Sequence, residues 1–221
     1  MKLFHLILDL LFPPKCVLCG KLLQKSELDL CHSCRSEISD HPKPKNPIQF
    51  LASRTVLWYY EGNVRKSLLR YKFSNRRSYA ASYGRLLAMK LQREYPDGFD
   101  VLTWIPISAQ RKRERGYDQV ELLAAAVAAE LGMEILPTLE KIRNNRPQSE
   151  ISGSAERRAN VLGVYRVMDP EAIRGKRVLL LDDIITTGAT ASEAARVLLT
   201  AGASEITCAA VAAASHSKKT Q

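Results

Sequence analysis

Long apolar runs are missing from this chain. No stretch approaches the roughly 20 consecutive apolar residues that cross a bilayer, so no membrane span is expected. The opening MKLFHLILDLLFPP comes nearest, but Asp9 interrupts it and no small-residue cleavage site follows. It runs straight into Pro13, Pro14 and Cys16 and reads as a short amphipathic helix rather than a signal peptide. Acidic residues are also in short supply: 23 Asp and Glu face 33 Lys and Arg, leaving +10. That balance favours polyanionic partners, either nucleic acid or a highly phosphorylated small molecule, though a generically basic surface has the same composition. Cysteine is sparse and unevenly spread, with four of the five in the first 40 residues. A cytoplasmic location is expected, where clustered thiols stay reduced and more often hold a metal than form disulfides.

The hydrophobic share of 46% is enough to bury a core, and 221 residues suit one medium domain plus a small appendage. No internal repeat is found. HPKPKNP, with three prolines in seven residues, cannot continue a helix and reads as a linker at His41–Pro47. It divides an N-terminal helix and four-cysteine module (1–45) from a larger domain (50–215). In the larger part apolar runs of β type alternate with amphipathic helices, the signal of a mainly parallel α/β sheet flanked by helices. Strands are predicted at Thr55–Tyr60, Asp100–Ile105, Glu140–Arg143, Tyr165–Val167, Arg177–Leu181 and Glu205–Ala213. Helices are predicted at Val64–Phe73, Tyr79–Tyr95, Asp118–Leu131 and Ala191–Thr200.

The most informative segment is VLLLDDIITTGAT, Val178 to Thr190. A buried apolar strand ends in two acids, and a loop of hydroxyls and glycine then opens a helix, which is where open α/β sheets bind ligands. Thr186, Thr187, Gly188, Ala189 and Thr190 can offer backbone N–H groups, hydroxyls and a helix N-terminus to a phosphate. Carboxylates beside a phosphate loop would repel it unless the ligand also carries hydroxyls. Asp182 and Asp183 fit a vicinal diol, held directly or through Mg²⁺. A phosphate one sugar-length from a diol is ribose 5-phosphate. Neither GxxxxGK[ST] nor GxGxxG is present here. A plain helix cap by Thr186 or Thr187 would need neither the acid pair nor the glycine.

Two basic stretches accompany it. In PISAQRKRERGYDQ, Arg111, Lys112, Arg113 and Arg115 fall within five residues after a strand end. Read as a loop, they would face the same crevice, where Arg111 and Arg115 could take a pyrophosphate; a solvated basic loop or a nucleic-acid contact remain alternatives. The polar stretch 144–160 lacks an apolar stripe and reads as a mobile lid or a disordered insertion. At the N-terminus, Cys16, Cys19, Cys31 and Cys34 form CxxC-x11-CxxC, two knuckles that suit one tetrahedral, structural Zn²⁺; iron–sulfur ligation or a redox role would use the same residues.

The Val178–Thr190 segment resembles the signature of type I phosphoribosyltransferases for 5-phosphoribosyl-1-pyrophosphate (PRPP). That resemblance implies a phosphoribosyltransferase-like fold, Mg²⁺ accompanying PRPP, ribose contacts from Asp182 and Asp183, and 5-phosphate contacts from Thr186 to Thr190. Together with the cysteine module, EGNVRKSLLRYKF, PISAQRKRERGYDQ and RPQ…ERRANV, the chain resembles the ComF family along nearly its whole length. Tyr117-Asp118 stands where that family often has Phe-Asn. The resemblance implies a role in natural competence, importance for Arg111, Arg115, Gly116, Gln119, Gln148, Arg158 and Asn160, and either phosphoribosyl transfer, PRPP sensing without turnover, or binding of single-stranded DNA. A helicase is the kind of protein partner it suggests. Trp104, Tyr117 and Tyr165 are too scattered to read as a stacking platform for such a strand.

Overall fold

The computed structural model describes residues 13–38, 46–143, 151 and 154–214. Its centre is a four-stranded, all-parallel sheet in the order β1-β6-β5-β2. The strands are β1 (Ser53–Tyr59), β2 (Val101–Trp104), β5 (Arg177–Ile185) and β6 (Glu205–Ala213). Parallel sheets are covered on both faces, which explains why the middle strands read as unbroken apolar runs. Val178 to Leu181 are fully buried, and β6 is almost wholly buried, with alanine at four of its nine positions.

Helices cover both faces. On one side lie α2 (Gly62–Phe73), α3 (Tyr79–Glu94) and α5 (Gln119–Leu131); on the other lies α7 (Ala189–Thr200) with a two-stranded antiparallel hairpin, β3 (Leu139–Lys141) and β4 (Tyr165–Val167). Alternation along β5 sends Leu179 and Leu181 into the first core, and Val178 and Leu180 into the second. Helices α3 and α5 approach so closely that a Cβ on Gly84 would stand 2.5 Å from the Ala126 methyl carbon and 2.8 Å from the Ala126 carbonyl carbon. Only glycine fits that crossing.

The cysteine module, with the short helix α1 (His32–Glu37), packs against the sheet and its helices. Cys16, Val17 and Leu18 share one continuous core with Leu57, Leu68 and Tyr71. Asp29, 5% exposed, receives two hydrogen bonds from the Arg85 guanidinium of α3, at 2.5 and 3.1 Å. No described helix is long and apolar enough to cross a membrane, and the opening segment predicted as a helix lies outside the described residues.

Three local readings differ from the sequence-based ones. Strand β5 continues four residues past Leu181, because pairing with β6 through Asp182↔Ala210, Ile184↔Ala212 and Ile185↔Ala213 satisfies the backbone of the acidic pair. The basic segment after β2 is a helix, α4 (Ala109–Arg115), capped by Ser108 and ended by left-handed Gly116. None of its residues is buried, so it shows no apolar period. Within the polar stretch, Ser154–Val161 forms α6, while 144–150 and 152–153 lie outside the described residues.

Candidate functional site

The carboxyl edge of the sheet gathers the charged side chains. Because Asp182 and Asp183 sit inside β5, the strand's alternation turns them to opposite faces. Asp183 faces α2 and α5 and is 5% exposed. The Lys72 ammonium lies 2.9 Å from one of its oxygens, and the Gln119 amide donates to the other at 2.7 Å. Asp182 faces the opposite side and lines a small open pocket with Ile184, Ile185, Thr186, Gly188, Ala189, Thr190 and Ala191. Thr187 is not in that lining; its hydroxyl accepts from the Ala189 N–H at 3.4 Å. Burial, and then the neighbouring Asp183 charge, pushes the Asp182 carboxyl up to about 8, against the pull of Lys72 and of the Asp183 N–H, which donates to Asp182 at 2.8 Å.

The turn after β5 leads directly into the N-terminus of a helix. Gly188 has φ +77° and serves as the N-cap residue of α7, which has no capping side chain. The first turn of the helix therefore presents backbone N–H groups toward the pocket that Asp182 shares. A Cβ on Gly188 would collide with the Ile48 side chain at 2.5 and 2.8 Å. Ile48 thus packs onto the turn from the segment that joins the cysteine module to the sheet.

The basic residues divide between two neighbourhoods. Arg115, at the end of α4, donates to the Gln119 carbonyl oxygen of the side chain at 2.7 Å, and its guanidinium lies 4.9 Å from the ring centre of Phe73, which is 66% exposed. Lys72, Asp183, Gln119, Arg115 and Phe73 therefore form one chain of contacts. Arg111 acts electrostatically on Lys141 and Tyr165 of the β3–β4 hairpin, and Asp182 acts on the same pair. Burial first, and Arg111 next, lower the Lys141 ammonium to about 8, with Asp182 opposing. Lys141 and Tyr165 are direct cross-strand partners, with the ammonium 5.7 Å from the ring centre.

Lys72 and Lys141 were not picked out by sequence pattern. Both sit in ordinary amphipathic surroundings, and only tertiary contact brings them to the acids. Gly116 ends α4, and Gln119 opens α5. Gln148 lies outside the described residues. Tyr117 and Tyr165 are buried, so neither offers a free ring face to a strand of bases.

The four module cysteines converge as the spacing predicts. Their sulfurs all lie within 4.8 Å of one another, with Cys19 and Cys31 3.6 Å apart. Thiolates about 2.3 Å from a tetrahedral Zn²⁺ have such separations, so the donor set fits the ion. Burial raises the Cys16 thiol, but backbone groups of Cys19, Cys31 and Leu18 outweigh it and bring it down to about 7; burial and neighbouring thiols push Cys34 far up. Four sulfurs this close cannot all ionise without a cation between them.

Comparison with known proteins agrees with this layout. Residues 121–221 match the phosphoribosyl transferase domain, and residues 7–45 match the double zinc ribbon domain. The chain is 28% identical over 192 residues to Competence protein ComFC of Bacillus subtilis (strain 168), covering 85% of this chain and 72% of that one. It is also 28% identical over 226 residues to Competence protein ComFC of Streptococcus pneumoniae, covering 87% and 96%. DNA utilization protein YhgH of Salmonella typhi is 30% identical over 140 residues, covering 61% and 60%. Among solved structures, glutamine PRPP amidotransferase from B. subtilis superposes with a TM-score of 0.42 at 23% identity, covering 64% of this chain and 30% of that one. The chain is thus similar to the ComFC competence proteins over most of its length, and its two parts match a phosphoribosyl transferase domain and a double zinc ribbon domain.

Proposed function

We propose that this protein binds Mg²⁺–PRPP at the carboxyl edge of its sheet and acts in DNA uptake by phosphoribosyl transfer. The observation that carries the reading is the pocket in which the Asp182 carboxylate meets the Thr186–Ala191 turn at the start of α7. An acid that suits a diol and a turn that suits a phosphate share one small cleft, the chemistry that ribose 5-phosphate calls for.

In this reading the turn takes the 5-phosphate and Asp182 takes the ribose hydroxyls. Asp183 supports it from the other face of the strand. Mg²⁺ bound with the ligand would supply charge neutralisation for the pyrophosphate. Arg111 and Arg115 offer planar, permanently charged donors to that same leaving group. An acceptor attacks C1 of the ribose, the C1–O bond to pyrophosphate breaks, and the electron pair leaves with pyrophosphate. The β3–β4 hairpin, whose Lys141 and Tyr165 feel the Asp182 charge, helps to close the cleft against water.

The test is thermal stabilisation of the full-length protein. Mg²⁺–PRPP at about 100 times its Kd should add roughly 2.7 kcal/mol, or on the order of 5–10 °C for a chain of this size. Asp182→Asn should abolish the shift without lowering the melting temperature of the free protein. A shift of equal size in Asp182→Asn would move the ribose elsewhere. A pyrophosphate-release assay over nucleobases and nucleic acids then decides between turnover and sensing.

A second reading has its own support. Helix α4 carries Arg111, Lys112, Arg113 and Arg115 with no buried residue, and exposed Phe73 lies under Arg115. A basic rail with a stacking ring suits single-stranded DNA. Affinity for a short oligonucleotide should then fall steeply with salt and weaken on Phe73→Ala; salt-insensitive binding refutes it.

A further inference from the structure

Helix α2 touches both the cysteine module and the acidic edge. Its Ser67 hydroxyl donates to the Val17 carbonyl, and its Arg70 guanidinium donates to the Leu18 carbonyl. Val17 and Leu18 are the two residues between Cys16 and Cys19, so α2 grips the backbone of the first knuckle. Leu68 and Tyr71 are buried in the same core as Cys16, Val17 and Leu18. The Tyr71 hydroxyl then reaches across to the Gln119 carbonyl at 2.6 Å, and the next residue, Lys72, meets Asp183 at 2.9 Å. A helix of 12 residues, about 18 Å long, behaves as a stiff rod over this span. Displacing the knuckle carbonyls displaces Lys72.

The acidic edge needs that cation. Asp183 is buried beside Asp182 on its own strand, and Asp118 at the N-cap of α5 adds a further negative charge to the group. Gln119 contributes a hydrogen bond but no charge. Without the ammonium of Lys72, Asp183 would be an uncompensated buried carboxylate, free to turn or to draw in water. Lysine alone is too flexible to hold one geometry unless its helix is fixed.

We propose that Lys72 is the positioning residue of the acidic edge and that the zinc ribbon, acting through α2, sets Lys72 in place. Zinc occupancy is thereby coupled to the order of the Asp182–Thr190 segment. The consequence for PRPP affinity rests on the ligand reading above; the coupling itself does not.

The experiment measures hydrogen–deuterium exchange of peptides spanning 178–190 in the full chain without ligand. It compares zinc-loaded protein, chelator-stripped protein, Lys72→Met and Lys72→Arg. Stripping and Lys72→Met should each speed exchange in this segment by about tenfold, with Lys72→Arg restoring most of the protection. Calorimetric affinity for Mg²⁺–PRPP should fall and recover in the same order. Where stripping unfolds the whole chain, Ser67→Ala with zinc retained should loosen the segment about threefold by releasing one knuckle contact. Unchanged exchange in Lys72→Met overturns the positioning role, and unchanged exchange in both Ser67→Ala and folded, stripped protein overturns the coupling. Exchange that responds in a wild-type protein lacking PRPP affinity would instead refute the ligand assignment and leave the coupling intact.

Discussion

Binding of Mg²⁺–PRPP should expel a proton from Asp182. Burial and the adjacent Asp183 hold its carboxyl at about 8, so at pH 7 it is about nine-tenths protonated in the free protein. A diol or cation seated on that carboxylate favours its charged form and returns it toward the ordinary range near 4. At pH 7 each binding event should therefore release about 0.9 proton, and the apparent affinity should rise about tenfold per pH unit up to pH 8, then level off. Each of those units corresponds to about 1.4 kcal/mol. Titration calorimetry at pH 7 in two buffers of different ionisation enthalpy measures the proton directly. The ligand's own contribution is taken from its titration with Mg²⁺ alone at the same pH. Tight binding to the wild type with no proton released beyond the ligand's own would refute the placement of the sugar on this acid.

The same raised carboxyl has a consequence for the free protein. Its folded pKa lies above its unfolded value, so the stability it contributes is complete below about pH 4 and is lost as pH rises through about 8; urea midpoints at pH 5, 7 and 9 should fall in the wild type more than in Asp182→Asn. Gly84→Ala should cost about 1–3 kcal/mol by wedging α3 from α5, visible as a lower urea midpoint with an unchanged slope. Arg85→Met strips Asp29 of two hydrogen bonds and its ion pair and should cost about 2–3 kcal/mol, with the loss read as a lower melting temperature of zinc-loaded protein. A cost below about 0.5 kcal/mol there would show that Asp29 finds water instead.

Much of the fold was legible because the two central strands carry their burial in their composition. Val178 to Leu181 and Glu205 to Ala213 could be read as covered strands, and Gly132 marked the end of α5 by its left-handed turn. The acid pair was legible as a site but not as a geometry. Its polarity suggested a strand end at Leu181, whereas backbone pairing with Ala210 and Ala212 carries β5 onward and sends the two carboxylates to opposite faces. Helix α4 escaped because every side chain on it is solvated, leaving Ser108 and Gly116 as its only local signals. Lys72 could not be found by pattern, since the contact that defines it joins α2 to a strand far along the chain.

Strand β6 constrains what variation this protein can tolerate. Its methyl side chains at Ala209, Ala210, Ala212 and Ala213 set the distance at which the helical layers stand from the sheet. A library saturating these positions should find them among the least permissive in the chain, even though none lines the Asp182 pocket. Each added carbon there would act as a shim under the layers that deliver Lys72 from one side and the α7 turn from the other, so selection for ligand binding would be felt at four alanines remote in sequence from both.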